Sequence, residues 1–135
     1  ATRNAAQNIP AGGAFTTIIW QNVQLDTNNK FNSATGEYAP EKTALIRISG
    51  GFTISNANLG QTYEVSVSLN GVKADRLALF TADTDGPVFV PFSRLVQVVS
   101  PNVKLGVGIS NPSATASITI SQYGTQSNIS IEEIV

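Results

Sequence analysis

The fold is decided by residues 63–71, which read YEVSVSLNG. Apolar and polar side chains alternate strictly from Tyr63 to Leu69. Because successive side chains of a strand point to opposite faces, this alternation predicts a half-buried β-strand. The Asn-Gly pair at 70–71 favours a tight hairpin turn, since both residue types tolerate positive φ. The stretch therefore predicts two antiparallel strands joined at residues 70–71.

The same two-residue period recurs on both sides of this hairpin, over residues 43–54, 103–109 and 114–120 and again near the C-terminus. The glycine pair at 50–51 predicts a bulge or bend within a strand, and Pro91 restricts its strand to an edge, an end or a bulge. No segment shows a 3.6-residue period. About eight short strands with turns at roughly ten-residue spacing indicate an all-β domain, as a sandwich, jelly roll or barrel.

The length of 135 residues fits one domain. Residues 1–13 are small and polar, and they include Pro10, Gly12 and Gly13. This composition predicts a flexible lead-in from a stalk or linker. The sequence thus predicts a lead-in over residues 1–13 and a single jelly-roll domain over residues 14–135.

Composition excludes several function classes. The chain contains no Cys and no His, so thiolate nucleophiles, imidazole bases and the usual zinc ligands other than carboxylates are absent. The formal net charge is −1 and no basic stripe appears, which argues against a nucleic-acid partner. No apolar run approaches the ~20 residues that a membrane helix requires. Charged residues make up 13% of the chain, about half the usual share near ~25%. A weakly charged polar surface favours a domain that packs against its own copies or faces the extracellular environment.

Residues 26–47 carry a recognisable arrangement. Asp26 and a polar turn are followed by Phe31 and Asn32, then by TGEYAP at 35–40, and then by a strand. This arrangement resembles the early strands of C1q and tumour-necrosis-factor-like domains, and residues 31–40 are its specific part. Thr43 and Leu45 depart from the family pattern, which usually has Gly and Tyr there. The low charge is more similar to the viral branch, such as the heads of vertex spikes of membrane-containing tailless bacteriophages.

The resemblance implies a C1q/TNF-like jelly-roll β-sandwich that forms a homotrimer. In such heads, the sheet holding the first, third and last strands faces the neighbouring subunits. The implied function is a non-enzymatic spike or fibre head on a virion surface, or on a secreted protein, that attaches to a host receptor, binds virion vertex proteins or trimerises a stalk. The candidate interface residues are Trp20, Ile129 and Ile131. An ordinary core strand within one subunit remains the alternative for residues 128–135.

The turn at residues 83–86, Asp-Thr-Asp-Gly, resembles the opening of a calcium loop, with carboxylates at alternate positions. Asp83 and Asp85 are therefore metal-ligand candidates. The third acidic position and the closing Glu are missing, so a surface turn is the favoured interpretation. The sequence predicts no other cofactor.

Two other functions fit an all-β chain without His or Cys. A monomeric carbohydrate-binding module would stack a sugar on Trp20, Tyr63 or Tyr123, although the apolar run around Trp20 favours its burial. A hydrolase would use paired carboxylates, and the close pairs are Asp83 with Asp85 and Glu132 with Glu133. No aromatic-rich cleft motif accompanies either pair, so we expect no enzyme activity.

Overall fold

The computed structural model describes residues 1–3, 5–21, 26, 29–98, 100, 103–112, 116–121 and 127–134. These residues form strands, turns and loops without a helix, and the predicted all-β fold is confirmed. Accordingly, none of the described segments is a helix long and apolar enough to cross a membrane. The strands are β1 (Gln7–Ile9), β2 (Phe15–Thr17), β3 (Phe31–Asn32), β4 (Glu37–Tyr38), β5 (Ala44–Ala57), β6 (Thr62–Leu69), β7 (Val72–Thr81), β8 (Gly86–Val98), β9 (Leu105–Ser110), β10 (Ile118–Ile120) and β11 (Asn128–Glu133).

The strands form two antiparallel sheets. In the five-stranded sheet, β5 is central: β8 pairs along one edge of it, while β11 and β10 pair with the other edge, and β1 lies beyond β10. In the six-stranded sheet, β9 pairs with β6 on one edge and with β4 and β2 on the other. β7 lies outside β6, and β3 lies outside β4. This arrangement is a β-sandwich consistent with a jelly roll.

The core lies between the two sheets and follows the alternation seen in the sequence. In β6, Tyr63, Val65 and Val67 are fully buried, while the intervening Glu64 lies on the outer face. The other central strands contribute Ile46, Ile48, Phe52 and Ile54 from β5 and Leu105, Val107 and Ile109 from β9. Burial of these side chains is the main favourable term for folding, since the chain has no disulfide.

Two local predictions are confirmed. Asn70 and Gly71 join β6 to β7 with φ values of 53° and 80°, as a tight hairpin turn with two positive φ angles requires. Pro91 lies in β8, which pairs only with β5 among the described strands and is therefore an edge strand. An edge strand tolerates proline because one side of its backbone makes no ladder hydrogen bonds.

The glycine pair at 50–51 lies inside a continuous strand, as expected, but without the predicted bulge. Its pairing with β8 and β11 is in register at both residues. The irregularity of β5 occurs instead between Ile54 and Ala57. Both glycines allow close packing, since a Cβ at Gly50 would overlap the backbone of β11 and a Cβ at Gly51 would overlap the ring of Phe89.

The N-terminal residues differ from the expectation of a flexible lead-in over residues 1–13. β1 pairs with β10 at three positions, and Ile9 is fully buried in the core. Thr2 forms a bridge with Asn128, and Arg3 is only 2% exposed. The domain therefore includes these residues and does not begin at residue 14. After these residues, β2 extends over Phe15–Thr17, and residues 22–25 lie outside the described part of the chain.

The sandwich has two ends, which we call the tip and the base. At the tip, Ala57 pairs with Gly86, and the loops 58–61 and 82–85 are hydrogen-bonded to each other. The loop 10–14 lies at the same end, where the Gly13 N–H donates to the Asn111 carbonyl. At the base, Ala44 pairs with Val98, and the loop 39–43 lies beside the end of β11. β11 runs toward the base, while the segment at Thr2 runs antiparallel to it, toward the tip.

Candidate functional site

The outer face of the five-stranded sheet displays apolar side chains along β8. Val90, Phe92 and Val96 point into the core, whereas Phe89 and Leu95 are 55% and 51% exposed. Pro91 is exposed between them. Because one face of β8 packs on the core, the apolar side chains on its other face are exposed to water. Exposed apolar patches of this kind often mark interaction surfaces.

The middle of this outer face is flat. Ser93, Ser49 and Ser130 form one row across β8, β5 and β11. In the next row, Gly51 has no side chain, and the ring of Phe89 fills its place: a Cβ there would lie 2.5 Å from the ring. Small side chains beside an aromatic ring allow another surface to approach closely.

The charge on this face is low and internally compensated. Arg47 lies between Leu95 and Glu132 in register, and its guanidinium is 3.8 Å from the Glu132 carboxylate. Both side chains are more than half exposed, so the pair contributes little to stability. The face thus combines apolar side chains with a nearly neutral border.

Sequence reasoning did not select Phe89, Pro91 or Leu95. A signal was present, since residues 88–98 read VFVPFSRLVQV, with apolar residues at both alternating sets of positions. An edge strand with one face on the core requires only one such set to be apolar. The second apolar set, Phe89, Pro91 and Leu95, must therefore lie on the outer face, away from the core.

The interface residues that the sequence suggested lie elsewhere. Trp20 is fully buried and Ile129 is 4% exposed, so both side chains pack in the core of one subunit. Ile131 points to the same side as Ile129 and is partly buried against the core. This placement corresponds to the core-strand alternative for β11. Of the three, Ile131 retains accessible surface for a neighbour.

Asp83 and Asp85 lie in the exposed turn between β7 and β8, at the tip. One Asp85 carboxylate oxygen accepts a hydrogen bond of 2.8 Å from the backbone N–H of Leu59 and so ties this turn to the loop 58–61. The same two loops share hydrogen bonds from Gly60 N–H to the Ala82 carbonyl and from Ala82 N–H to the Gln61 carbonyl. Among the described residues, no group of three or more acidic side chains could hold a metal ion. These hydrogen bonds fix the turn at residues 82–85 against the loop 58–61.

The paired carboxylates at 132 and 133 point to opposite sides of β11. Glu132 faces Arg47 on the outer face. Glu133 accepts a 2.7 Å hydrogen bond from the hydroxyl of Tyr38 in the other sheet. Because each carboxylate has its own partner, the structure does not bring them together around one substrate bond.

The aromatic side chains suggested for sugar stacking are largely inaccessible. Trp20 and Tyr63 are both fully buried. Tyr123 lies outside the described residues. A sugar ring cannot stack on an aromatic face inside the core, so the carbohydrate-binding alternative loses two of its three platforms.

Trp20 gives a direct spectroscopic test of this placement. We expect the folded protein to have blue-shifted tryptophan emission that acrylamide quenches weakly, because the indole is fully buried. Added glycans should leave the emission unchanged, and unfolding in urea should shift it to the red. A red-shifted spectrum of the native protein that responds to glycans would contradict the burial and favour the carbohydrate-binding module.

A polar cleft opens at the base. It has a volume of about 380 Å³ and is lined by Lys30, Glu41, Lys42 and Glu133. Lys30 forms an ion pair with Glu41, and this hydrogen bond lowers the pKa of the Glu41 carboxyl. Beside it, burial of Tyr38 and its hydrogen bond to Glu133 raise the pKa of the Tyr38 hydroxyl, which therefore remains a hydrogen-bond donor.

Comparisons with known proteins leave the family open. No family model matches the chain, and no curated protein matches it. Among solved structures, the chain is similar to one described as "Structure of infectious bursal disease virus Gt strain", with 11% sequence identity and a TM-score of 0.43. The match covers 99% of this chain and 37% of that chain, so this chain spans little more than a third of the other's length. A likeness of this strength assigns no function.

Proposed function

We propose that this chain is a non-enzymatic head domain that forms a homotrimer on a virion surface or on a secreted protein. The outer face of the five-stranded sheet packs against the neighbouring subunits. One observation carries the proposal: β8 exposes Phe89, Pro91 and Leu95 on a flat and weakly charged face. Burying those side chains against a second copy removes apolar surface from water, which is the main driving force of association.

The sequence resemblance supports the same choice of face. In C1q and tumour-necrosis-factor-like heads, the sheet with the first, third and last strands faces the neighbours. In this chain, β1 and β11 belong to the five-stranded sheet, whereas β3 pairs with β4 in the six-stranded sheet, so the support comes from the first and last strands alone. The proposal therefore rests on two arguments. One is the exposed apolar surface of β8, and the other is the resemblance to C1q and tumour-necrosis-factor-like heads at residues 31–40.

Attachment would use the tip. The loops 58–61 and 82–85 brace each other through hydrogen bonds, which keeps their exposed residues in a fixed arrangement. Leu59 is 59% exposed on one loop, and Asp83 is exposed on the other. A trimer presents three such tips, so avidity raises the strength of attachment even where each head binds its receptor weakly.

The proposal predicts the mass of the protein in solution and its response to substitution. Light scattering during size exclusion should give three times 14.2 kDa at micromolar concentration. We expect Leu95→Arg to shift the protein to monomer, because it places a long charged side chain where the neighbour packs. Leu79→Arg is the matched control, since Leu79 is 52% exposed on the outer face of the other sheet. That variant should remain trimeric.

Two results would contradict the proposal. A wild-type mass of 14.2 kDa at all micromolar concentrations would show that the protein is a monomer and exclude the trimer. Equal dissociation by Leu95→Arg and Leu79→Arg would show that the outer face of the five-stranded sheet is not the interface. Circular dichroism of both variants checks that the β-sandwich is retained.

A further inference from the structure

The cleft at the base is built from both sheets and from the loop between them. Lys30 precedes β3, Glu41 and Lys42 lie in the loop 39–43, and Glu133 ends β11. The Lys30 side chain is only 21% exposed, and Tyr38 at the edge of the cleft is 9% exposed. The volume of about 380 Å³ falls within the ~300–1,000 Å³ of small-molecule sites. The site is independent of the proposed trimer, whose face lies on the outer side of β8.

Only some of the charged side chains that line the cleft form ion pairs within the protein. Lys30 and Glu41 neutralise each other. Glu133 accepts a hydrogen bond from Tyr38, which fixes the carboxylate but leaves its charge in place. Within the described part of the chain, neither Lys42 nor Glu133 belongs to an ion pair. Among the described residues that line the cleft, Lys42 is therefore a cation and Glu133 an anion outside any ion pair, and the two do not pair with each other.

We propose that this cleft binds a small zwitterion, with the ligand carboxylate at Lys42 and the ligand ammonium group at Glu133. Opposite charges on one small molecule match the two unpaired charges of the lining and leave the complex without an excess charge. The hydrogen bond from Tyr38 holds the Glu133 carboxylate in position before the ligand arrives, which reduces the entropic cost of binding.

Other ligand classes fit this lining less well. A simple anion at Lys42 would be repelled by Glu133, and a simple cation at Glu133 would be repelled by Lys42. A calcium ion requires ~6–8 oxygen ligands, and two lysines in the lining oppose it. An apolar ligand would desolvate four charged side chains at a large cost. A ligand that carries both charges avoids all of these penalties.

Amide chemical shifts in ¹⁵N–¹H spectra of the full chain can test the proposal. Glycine, β-alanine and γ-aminobutyrate serve as zwitterionic probes with increasing distance between their charges, and acetate and methylammonium serve as singly charged controls. We expect at least one zwitterion to give saturable shifts that are confined to the amides of residues 30, 38, 41–42 and 133, with a Kd on the order of 1 mM. Acetate and methylammonium should bind about tenfold more weakly or not at all.

Substitutions then test whether Lys42 and Glu133 each bind the ligand group of opposite charge. Lys42→Gln and Glu133→Gln should each weaken binding of the zwitterion about tenfold. In Glu133→Gln, the amide oxygen still accepts the Tyr38 hydrogen bond, so the fold is preserved while the charge is removed. Lys104→Gln, at an exposed lysine outside the lining, should leave the Kd unchanged.

Three outcomes overturn the proposal. No saturable shift with any of the three zwitterions would exclude the site. Acetate binding as tightly as the zwitterions would reduce it to an anion contact of Lys42. Unchanged affinity in Glu133→Gln would remove the role of the second charge. Each outcome is independent of the trimer test, because Leu95→Arg does not alter the cleft.

Discussion

Replacing Arg3 with methionine is expected to lower the free energy of unfolding by about 3 kcal/mol. Arg3 is 2% exposed. Its Nε–H donates to the Ser121 carbonyl at 3.1 Å, and its terminal nitrogens donate to the Gln7 side chain and to the Ile19 and Ala5 carbonyls. Methionine keeps much of the side-chain length and removes every donor. Buried acceptors then lose their partners.

An opposing effect must be weighed against this loss. No described carboxylate pairs with Arg3, so the guanidinium is desolvated without a counter-ion, and burial lowers its pKa to about 10. That pKa is still well above neutral pH, so the group remains charged in the folded protein. Replacing a buried charge with an apolar side chain can be neutral when all its partners are removed as well. Here the acceptors stay in place, three of them on the backbone, and therefore the loss of hydrogen bonds should dominate.

Urea denaturation at pH 7 measures the effect, with Lys104→Met as the control. Lys104 is exposed and belongs to no ion pair among the described residues, so its replacement should change the free energy of unfolding by less than about 1 kcal/mol. Arg3→Lys should fall between the two, because one ammonium group cannot reach acceptors on four sides. If Arg3→Met unfolds at the wild-type urea concentration, the cost of desolvation cancels the hydrogen bonds and the explanation is wrong.

The residues that were predictable from sequence are those whose neighbours are close in the chain. The β6–β7 hairpin follows from the alternation over 63–69 and from the Asn-Gly pair. The edge position of β8 is one of the three placements that Pro91 allowed, because proline lacks the donor that an inner strand needs. In each case a local rule was sufficient, since neither the strand period nor the turn geometry depends on distant residues.

The features that were missed depend on distant partners. Arg3 bonds to Ser121, which is 118 positions away, and nothing near Arg3 distinguishes it from a solvated arginine in a polar segment. Phe89 had a local signal in the apolar run at 88–98, but its position over Gly51 depends on the pairing of β5 with β8. The cleft at the base joins residues from positions 30 to 133. Only tertiary structure could bring these side chains together.

Replacing Gly50 with alanine is expected to cost at least about 3 kcal/mol, from a strained backbone angle and a backbone collision together. Gly50 has φ of 150°, which L-residues rarely adopt. An alanine Cβ would overlap the carbonyl oxygen of Asn128 and lie 3.0 Å from the Cα of Ile129. Both atoms belong to the backbone of β11 and cannot move away by changing a rotamer. The substitution therefore forces β11 away from β5 and loosens the burial of Ile129.

Gly60→Ala separates these two causes. Gly60 has φ of 82° in the tip loop, and its Cβ would have no atom within 4 Å. It should carry only the backbone strain, about 1–2 kcal/mol. Urea midpoints of the two variants, together with hydrogen exchange of the β11 amides, give the comparison. We expect faster exchange at residues 128–133 in Gly50→Ala alone. Equal destabilisation with unchanged exchange would mean that the close approach of β11 to Gly50 is not what requires glycine, since strain alone would then account for both substitutions.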